Sequence, residues 1–387
     1  MKEIQEREVF YIAGYDPRGY RYYYSLYKKN AKKQNKINNL NIKLSKTKII
    51  NDYISSCEIT TDKKTNTTYN FFSWNDIVKQ TWAEGFLRNF IDTLYFIKMY
   101  MFTGIYTKVA KESPRQIIAG SYPLVYLFIT IFTTAYLSFY SYEILSEYMN
   151  NLISVILAFA LFLLGIKLIE KVGDKVAVFW LSRIYAFCAR FSEKRVENID
   201  ERIELFSNHI FNQIKNNTNS KKEFILSTHS VGTILAIRIT SDVIRKCVKE
   251  NIDYSNFKLL TLGNCLPLVC YQKKFLEFRE DLELLGKTKN FTWLDYTATI
   301  DGACFPMVDP IVSSGIKREK DCGPILLSTR FFKLFTKENY KKIKKEKYKA
   351  HFLYLMSTEL AGNYDYFDIT AGNKALEDRI QNYKKEK

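Results

Sequence analysis

Ser230 is the hydroxyl in this chain best placed to act as a nucleophile. It stands in Phe224-Ile-Leu-Ser-Thr228-His229-Ser230-Val231-Gly232-Thr-Ile-Leu-Ala, an apolar run followed by a polar turn and then a second apolar stretch. Read as strand, sharp turn and helix, the segment puts Ser230 at the apex. Such an elbow strains the backbone of its central residue and needs small neighbours, because the helix must pass close to the strand. Gly232 meets that need. Thr228 departs from it, since a G-x-S-x-G elbow carries glycine two residues before the serine. The ordinary alternative is a serine that caps a helix. A nucleophilic serine also needs a base, and the chain has only three histidines, His209, His229 and His351.

The stretch around Ser230 resembles the alpha/beta-hydrolase superfamily, and within it the lipase and esterase branches, where histidine commonly precedes the nucleophile. The resemblance extends over about residues 8–35 and 222–355. It implies a catalytic order of serine, acid, histidine along the chain. His209 lies upstream of Ser230. His229 is adjacent to it, and its side chain is expected on the opposite side of the elbow. His351, in Tyr348-Lys-Ala-His351-Phe-Leu-Tyr354, is left as the general base. Asp301, beside Gly302 in the loop after the strand Phe291–Leu294, is the favoured acid, with Asp309 and Asp295 as alternatives. The oxyanion donors implied are the backbone amides of Val231 and Tyr15. Gly14-Tyr15 follows the strand Val9–Ala13; Gly14 would let backbone approach a substrate, and Pro17 would stiffen the loop. Arg18 either pins that loop through a carboxylate such as Asp16 or is an exposed turn residue. The triad needs no metal and no cofactor.

The elements around these residues suit the role. Val9–Ala13, Phe224–Ser227, Phe257–Leu262 and Phe291–Leu294 are short apolar runs of the kind buried in a parallel sheet. Helical stretches alternate with them: a Tyr- and Lys-rich one to about Lys36, about Glu193–Asn216, Gly232–Val248 and Tyr271–Leu285. That alternation predicts an α/β fold, a mostly parallel sheet flanked by helices. Cys57–Thr60 and Tyr69–Phe72 flank a polar turn at Asp62–Asn66 and read as a hairpin.

The middle of the chain has a different character. Ile117–Tyr140 is uncharged and about 24 residues long, roughly 36 Å as a helix against a hydrocarbon core of ~30 Å. A second uncharged stretch, Tyr148–Ile166, follows a short connector carrying Glu143 and Glu147. The expectation is a transmembrane hairpin, with helices at about 117–140 and 149–166, inserted into the hydrolase-like domain. Residues 1–82 and 195–387 would form that domain, and 83–194 the membrane insertion. Lys108, Lys111 and Arg115 precede the first span, and Lys167, Lys171 and Lys175 follow the second. The positive-inside rule therefore puts both arms and both termini in the cytoplasm. Phe86–Tyr106 and Val176–Phe191 are too charged to cross. They read either as interfacial helices or as ordinary domain helices, and 176–191 could also serve as a lid.

Composition limits the alternatives. The chain has 387 residues, 47% hydrophobic and 26% charged, so it is not broadly disordered. Its mean hydropathy of −0.21 excludes a polytopic membrane protein but not a local hairpin. The net charge of +17 attracts anionic partners without choosing among them. Beside a bilayer, the Lys clusters at 28–36 and 341–349 face headgroups or simply water, and no nucleic-acid partner is expected. Seven cysteines without a CxxC pair predict neither a disulfide framework nor a zinc site. The charged first residues carry no apolar core, so no cleaved secretory signal is expected. Phosphate-binding and dinucleotide-binding glycine motifs are absent. The expected function is cleavage of an acyl ester, of lipid type or a thioester, at the cytoplasmic face of the bilayer. A non-catalytic membrane scaffold with the same fold is the rival, and Thr228 is its support. Nothing in the sequence sets an oligomeric state.

Overall fold

Strand β1 (Glu6–Ile12) is buried along Arg7–Ile12 and so must have a paired strand on each side. The computed structural model, which describes residues 3–63 and 65–380, supplies both. Lys64, within the expected turn at 62–66, lies outside the described residues, as do Met1 and Lys2. The chain divides into two compact units, Met1–Thr81 with Arg190–Lys387, and Trp82–Ala189.

In the first unit, β1 leads into helix α1 (Tyr20–Asn38), then short strands β2 (Lys43–Leu44) and β3 (Lys48–Asn51). Strands β4 (Ile54–Thr60) and β5 (Asn66–Phe72) form the antiparallel pair, and helix α2 (Asn75–Thr81) follows.

The second unit is helical. It contains α3 (Phe86–Phe96), a π-helical turn at Ile97–Met101, α4 (Ile105–Glu112), α5 (Pro114–Tyr148), α6 (Asn151–Lys175) and most of α7 (Val178–Ser192). Helices α5 and α6 are long and apolar enough to cross a membrane, and only 17% of the most apolar window of each is buried. Gly165 lets them close on one another: a Cβ there would lie 2.3 Å from Thr134 Cγ2. The Tyr126 hydroxyl, on α5, donates to the Ile169 carbonyl at 2.7 Å. Helix α7 is buried on nearly every face, so of the two readings of 176–191 it fits the ordinary packed helix and not the exposed interfacial one. Its Arg183 is accommodated because Nε donates to the Ala83 carbonyl at 2.7 Å and Nη2 to Asp174 at 3.2 Å.

Back in the first unit, α8 (Ile199–Lys215) leads to β6 (Lys222–His229), α9 (Gly232–Lys249), β7 (Phe257–Leu262) and the short α10 (Pro267–Cys270). Then come α11 (Leu276–Lys287), β8 (Thr292–Thr297), α12 (Pro310–Ser313) and β9 (Pro324–Ser328). Helices α13 (Lys337–Ile343), α14 (Lys347–Phe352) and α15 (Tyr366–Ala371) complete the described chain. The sheet runs β2-β4-β5-β1-β6-β7-β8-β9, with β3 also paired to β4. It is parallel from β5 through β9, and only the edge strands β2, β3 and β4 make antiparallel pairs. This is an α/β fold with a mostly parallel, mixed sheet flanked by helices.

At the end of the sheet where β1 and β6 begin, a buried ion group ties strands to the C-terminal segment. Arg7 Nε donates to Glu223 at 2.6 Å and Lys258 Nζ to the same carboxylate at 2.8 Å. Leu376 N–H donates to it too, at 2.8 Å. Burial alone would raise the Glu223 carboxyl, but the two cations hold it at about 2.

Candidate active site

The opposite end of the sheet carries the candidate residues Ser230 and His229. Strand β6 ends at His229, α9 begins at Gly232, and Ser230 between them has φ 56°, the left-handed region that β-carbon sterics disfavour. Such strain persists only when surrounding contacts enforce it. Here the Ser230 N–H donates to the Leu262 carbonyl at 2.9 Å, and Thr233 Oγ1 donates to the Ser230 carbonyl at 2.6 Å. Thr228 is fully buried within β6, so the β-branched side chain is housed without removing the turn.

The strand β1 and the loop after it press against this elbow. A Cβ on Gly232 would lie 2.4 Å from the Ala13 carbonyl oxygen and 2.9 Å from that of Ile12. A Cβ on Gly14 would lie 2.8 Å from Ser230 Cβ and 3.3 Å from its Oγ. The two glycines thus bring the Gly14-Tyr15 backbone beside the serine, and Val231 opens the N-terminal end of α9, where a helix favours negative charge. The Trp74 indole N–H donates to the Ala13 carbonyl at 3.0 Å, and the Tyr15 hydroxyl pairs with Thr81 Oγ1 at 3.1 Å. Arg18 binds Asp16 through Nε at 2.8 and 2.9 Å, and its Nη2 reaches the hydroxyl of Tyr348, three residues before His351. Arg18 therefore links the loop after β1 to helix α14.

His351 and Asp301 meet. Nδ1 of the ring lies 2.9 Å from both Asp301 oxygens, and Ala303 N–H donates to Oδ1 at 2.9 Å. Burial would raise the Asp301 carboxyl, but the His351 ring and that amide hold it below its ordinary value. Asp301 Oδ2 would be 3.1 Å from a Cβ on Gly263, the residue after the carbonyl that accepts from Ser230. The Asp301–His351 pair thus lies near the Leu262–Gly263 backbone that receives the Ser230 N–H, and all three side chains are buried. The Ser230 hydroxyl points at Cys265 Sγ, 3.7 Å away, which is its one side-chain hydrogen-bonding contact among the described residues. Burial pushes the Cys265 thiol up to about 12, so the sulfur is a neutral neighbour.

The other candidates have different employment. Asp309 caps α12, accepting from Ile311 and Val312 N–H at 2.9 and 3.1 Å, and pairs with Arg318 at 2.6 Å. His209 lies edge-on to Phe10 and Phe72. His229 packs beside His351. Its ring centroid is 4.7 Å from that of His351, and Nε2–H donates to the His351 carbonyl at 2.9 Å. Burial, then the neighbouring His351, lower its pKa to about 3, so it is a neutral strut that holds the backbone of the second histidine. Neither this contact nor Cys265 was legible beforehand, because nothing in a sequence reports which way a ring turns or which loop comes to lie beside it.

Asp295 lies within β8 rather than in the loop beyond it. Thr261 Oγ1 donates to it at 2.6 Å and Asn264 Nδ2 at 2.7 Å, and burial pushes its carboxyl up to about 7. A folded value above that of the unfolded chain means the native state holds the proton longer. The group therefore costs nothing below the unfolded pKa of about 3.9, and it subtracts from stability as pH rises to 7 and above. Asp295→Asn can keep both hydrogen bonds with its oxygen toward Asn264. Urea unfolding should find it more stable than wild type by roughly 2–4 kcal/mol at pH 8 and no different near pH 4. An equal offset at the two pH values would refute this.

Among the described residues no cluster of His, Cys, Asp or Glu could hold a metal ion. Set beside protein-family models, curated proteins and solved structures, the chain has no match, and the site is read on its own geometry.

Proposed function

We propose that the chain is a membrane-anchored serine hydrolase of alpha/beta-hydrolase type that cleaves an acyl ester, of lipid type or a thioester. The observation that carries the reading is the buried Asp301–His351 pair in the same unit as a serine held at φ 56° between a strand and a helix. On substrate binding the Ser230 hydroxyl turns from Cys265 toward His351, since catalytic hydrogen bonds often tighten only in the complex. His351 takes the Oγ proton as Oγ attacks the carbonyl, and the amides of Val231 and Tyr15 receive the negative charge. The tetrahedral adduct collapses, the bond to the alcohol or thiol breaks, and His351 returns the proton to that leaving group. A water molecule repeats the sequence on the acyl-serine, releasing the acid and restoring Ser230.

Helices α5 and α6 anchor the enzyme in the bilayer, and their basic flanks favour a cytoplasmic catalytic unit. The lipid-type substrate follows from that location. A fluorophosphonate probe, which bonds to an activated serine with loss of fluoride, should label the purified protein in detergent and leave folded Ser230→Ala unlabelled. Folded wild-type protein that stays unlabelled would sink the proposal in favour of a scaffold.

A further inference from the structure

Helix α3 is inside out. Its outward residues are Leu87, Ile91 and Leu94, which are 68%, 51% and 48% exposed, and Phe102 just beyond the π-helical turn is 83% exposed. Its inward residues include Asn89, Asp92 and Thr93, at 0%, 2% and 3%. Thr93 Oγ1 and Ser182 Oγ share a hydrogen bond at 3.1 Å, and Asn89 Nδ2 donates to the Gly85 carbonyl at 2.9 Å. A helix on a water-facing surface shows the reverse order, apolar residues toward the core and polar ones out. The spacing of 87, 91 and 94 keeps the apolar residues on one stripe. Arg88 and Lys98 are exposed along the same helical segment, placed to reach anionic headgroups. The stripe continues into an apolar groove of about 760 Å³ lined by Phe90, Leu94 and Ile97 and by Leu124, Phe128 and Phe132 of α5. It is therefore continuous with the surface of a helix apolar enough to span a membrane.

We infer that α3 is a third membrane element, which inserts the Leu87–Ile91–Leu94–Phe102 face into the boundary between headgroups and acyl chains. The occupant is lipid, because the exposed stripe is hydrocarbon flanked by the cations Arg88 and Lys98, while Asn89, Asp92 and Thr93 are hidden beside Phe96. The inference rests on the membrane-anchored reading above, though not on the hydrolase chemistry. At 16 residues, Phe86–Met101 would be roughly 24 Å long, too short to cross and suited to lying in the interface.

The test uses the full chain in phosphatidylcholine–phosphatidylglycerol vesicles, with a nitroxide on Ile91→Cys or Leu94→Cys. Phe128→Cys on α5 and Lys215→Cys on α8 are the references. Collision with oxygen relative to a water-soluble nickel chelate should be at least about tenfold higher at 91 and 94 than at 215, as at 128. An aqueous ratio at 91 and 94 with an oxygen-rich ratio at 128 overturns this inference and leaves the two-span anchor standing. Aqueous ratios at all three overturn the anchor and this inference with it. Immobilised labels at 91 and 94 that neither reagent reaches would assign the face to protein contact, and would equally overturn lipid as the occupant.

Discussion

Asp301→Asn should lower kcat/KM for a chromogenic acyl ester by about 10³–10⁴-fold while leaving the protein folded. The amide can keep its oxygen on the Ala303 N–H, which donates to Oδ1 at 2.9 Å, and then presents an NH₂ to His351 Nδ1. That contact demands an unprotonated Nδ1, so the ring proton moves to Nε2, the nitrogen that must take the proton of Ser230. The imidazolium formed during attack also loses its counter-charge. Both effects fall on the transition state, so kcat should drop with little change in KM. Fluorophosphonate labelling should slow in parallel. A loss below about tenfold would mean that the carboxylate does not orient His351 during turnover, and the triad would fail as a mechanism.

Gly232→Ala should destabilise the protein by about 3 kcal/mol or more and remove activity with it. The added methyl would sit 2.4 Å from the Ala13 oxygen and 2.9 Å from the Ile12 oxygen. Both are backbone atoms at the end of β1, so no rotamer can relieve the clash. Either α9 backs away from the sheet or the loop carrying Gly14 and Tyr15 moves off Ser230. Gly302→Ala is the control. A Cβ there meets nothing within 4 Å, so its stability should stay within about 0.5 kcal/mol of wild type although it adjoins Asp301. Denaturant melts and ester hydrolysis on the two variants check the pair, and equal behaviour would contradict the close-approach account.

The parts of the fold that were readable in the sequence are those where burial leaves one choice of residue. Strands β1, β6 and β7 are hidden on both faces, so each is an apolar run, and α9 carries its period plainly. Strand β9 was not anticipated: it is five residues long, begins with Pro324, and only Pro324 and Leu327 are buried. For helix α7 the sequence left an interfacial and an ordinary packed helix equally open, because Arg183 and Arg190 interrupt its apolar residues; the structure buries it, with Arg183 satisfied by the Ala83 carbonyl and Asp174. At the site, the chain order implied by the resemblance and the scarcity of histidine pointed to His351, the ring that pairs with Asp301. The acid was harder. Asp295, Asp301 and Asp309 all sit near turn signals, and only the fold separates a carboxylate facing the ring from one buried in β8 and one capping α12.

The pairing of β1 with β6 also sets a timetable. Arg7 and Glu223, which bond across these strands, are 216 positions apart, with the whole helical unit between them. A ribosome adding about 5–20 residues per second makes the second partner some 10–40 s after the first. For that interval β1 has one open edge, and the apolar helices emerge before it closes. The two long apolar helices are thus complete before β6 arrives to close that edge, and Ser230, Asp301 and His351 are all made after them.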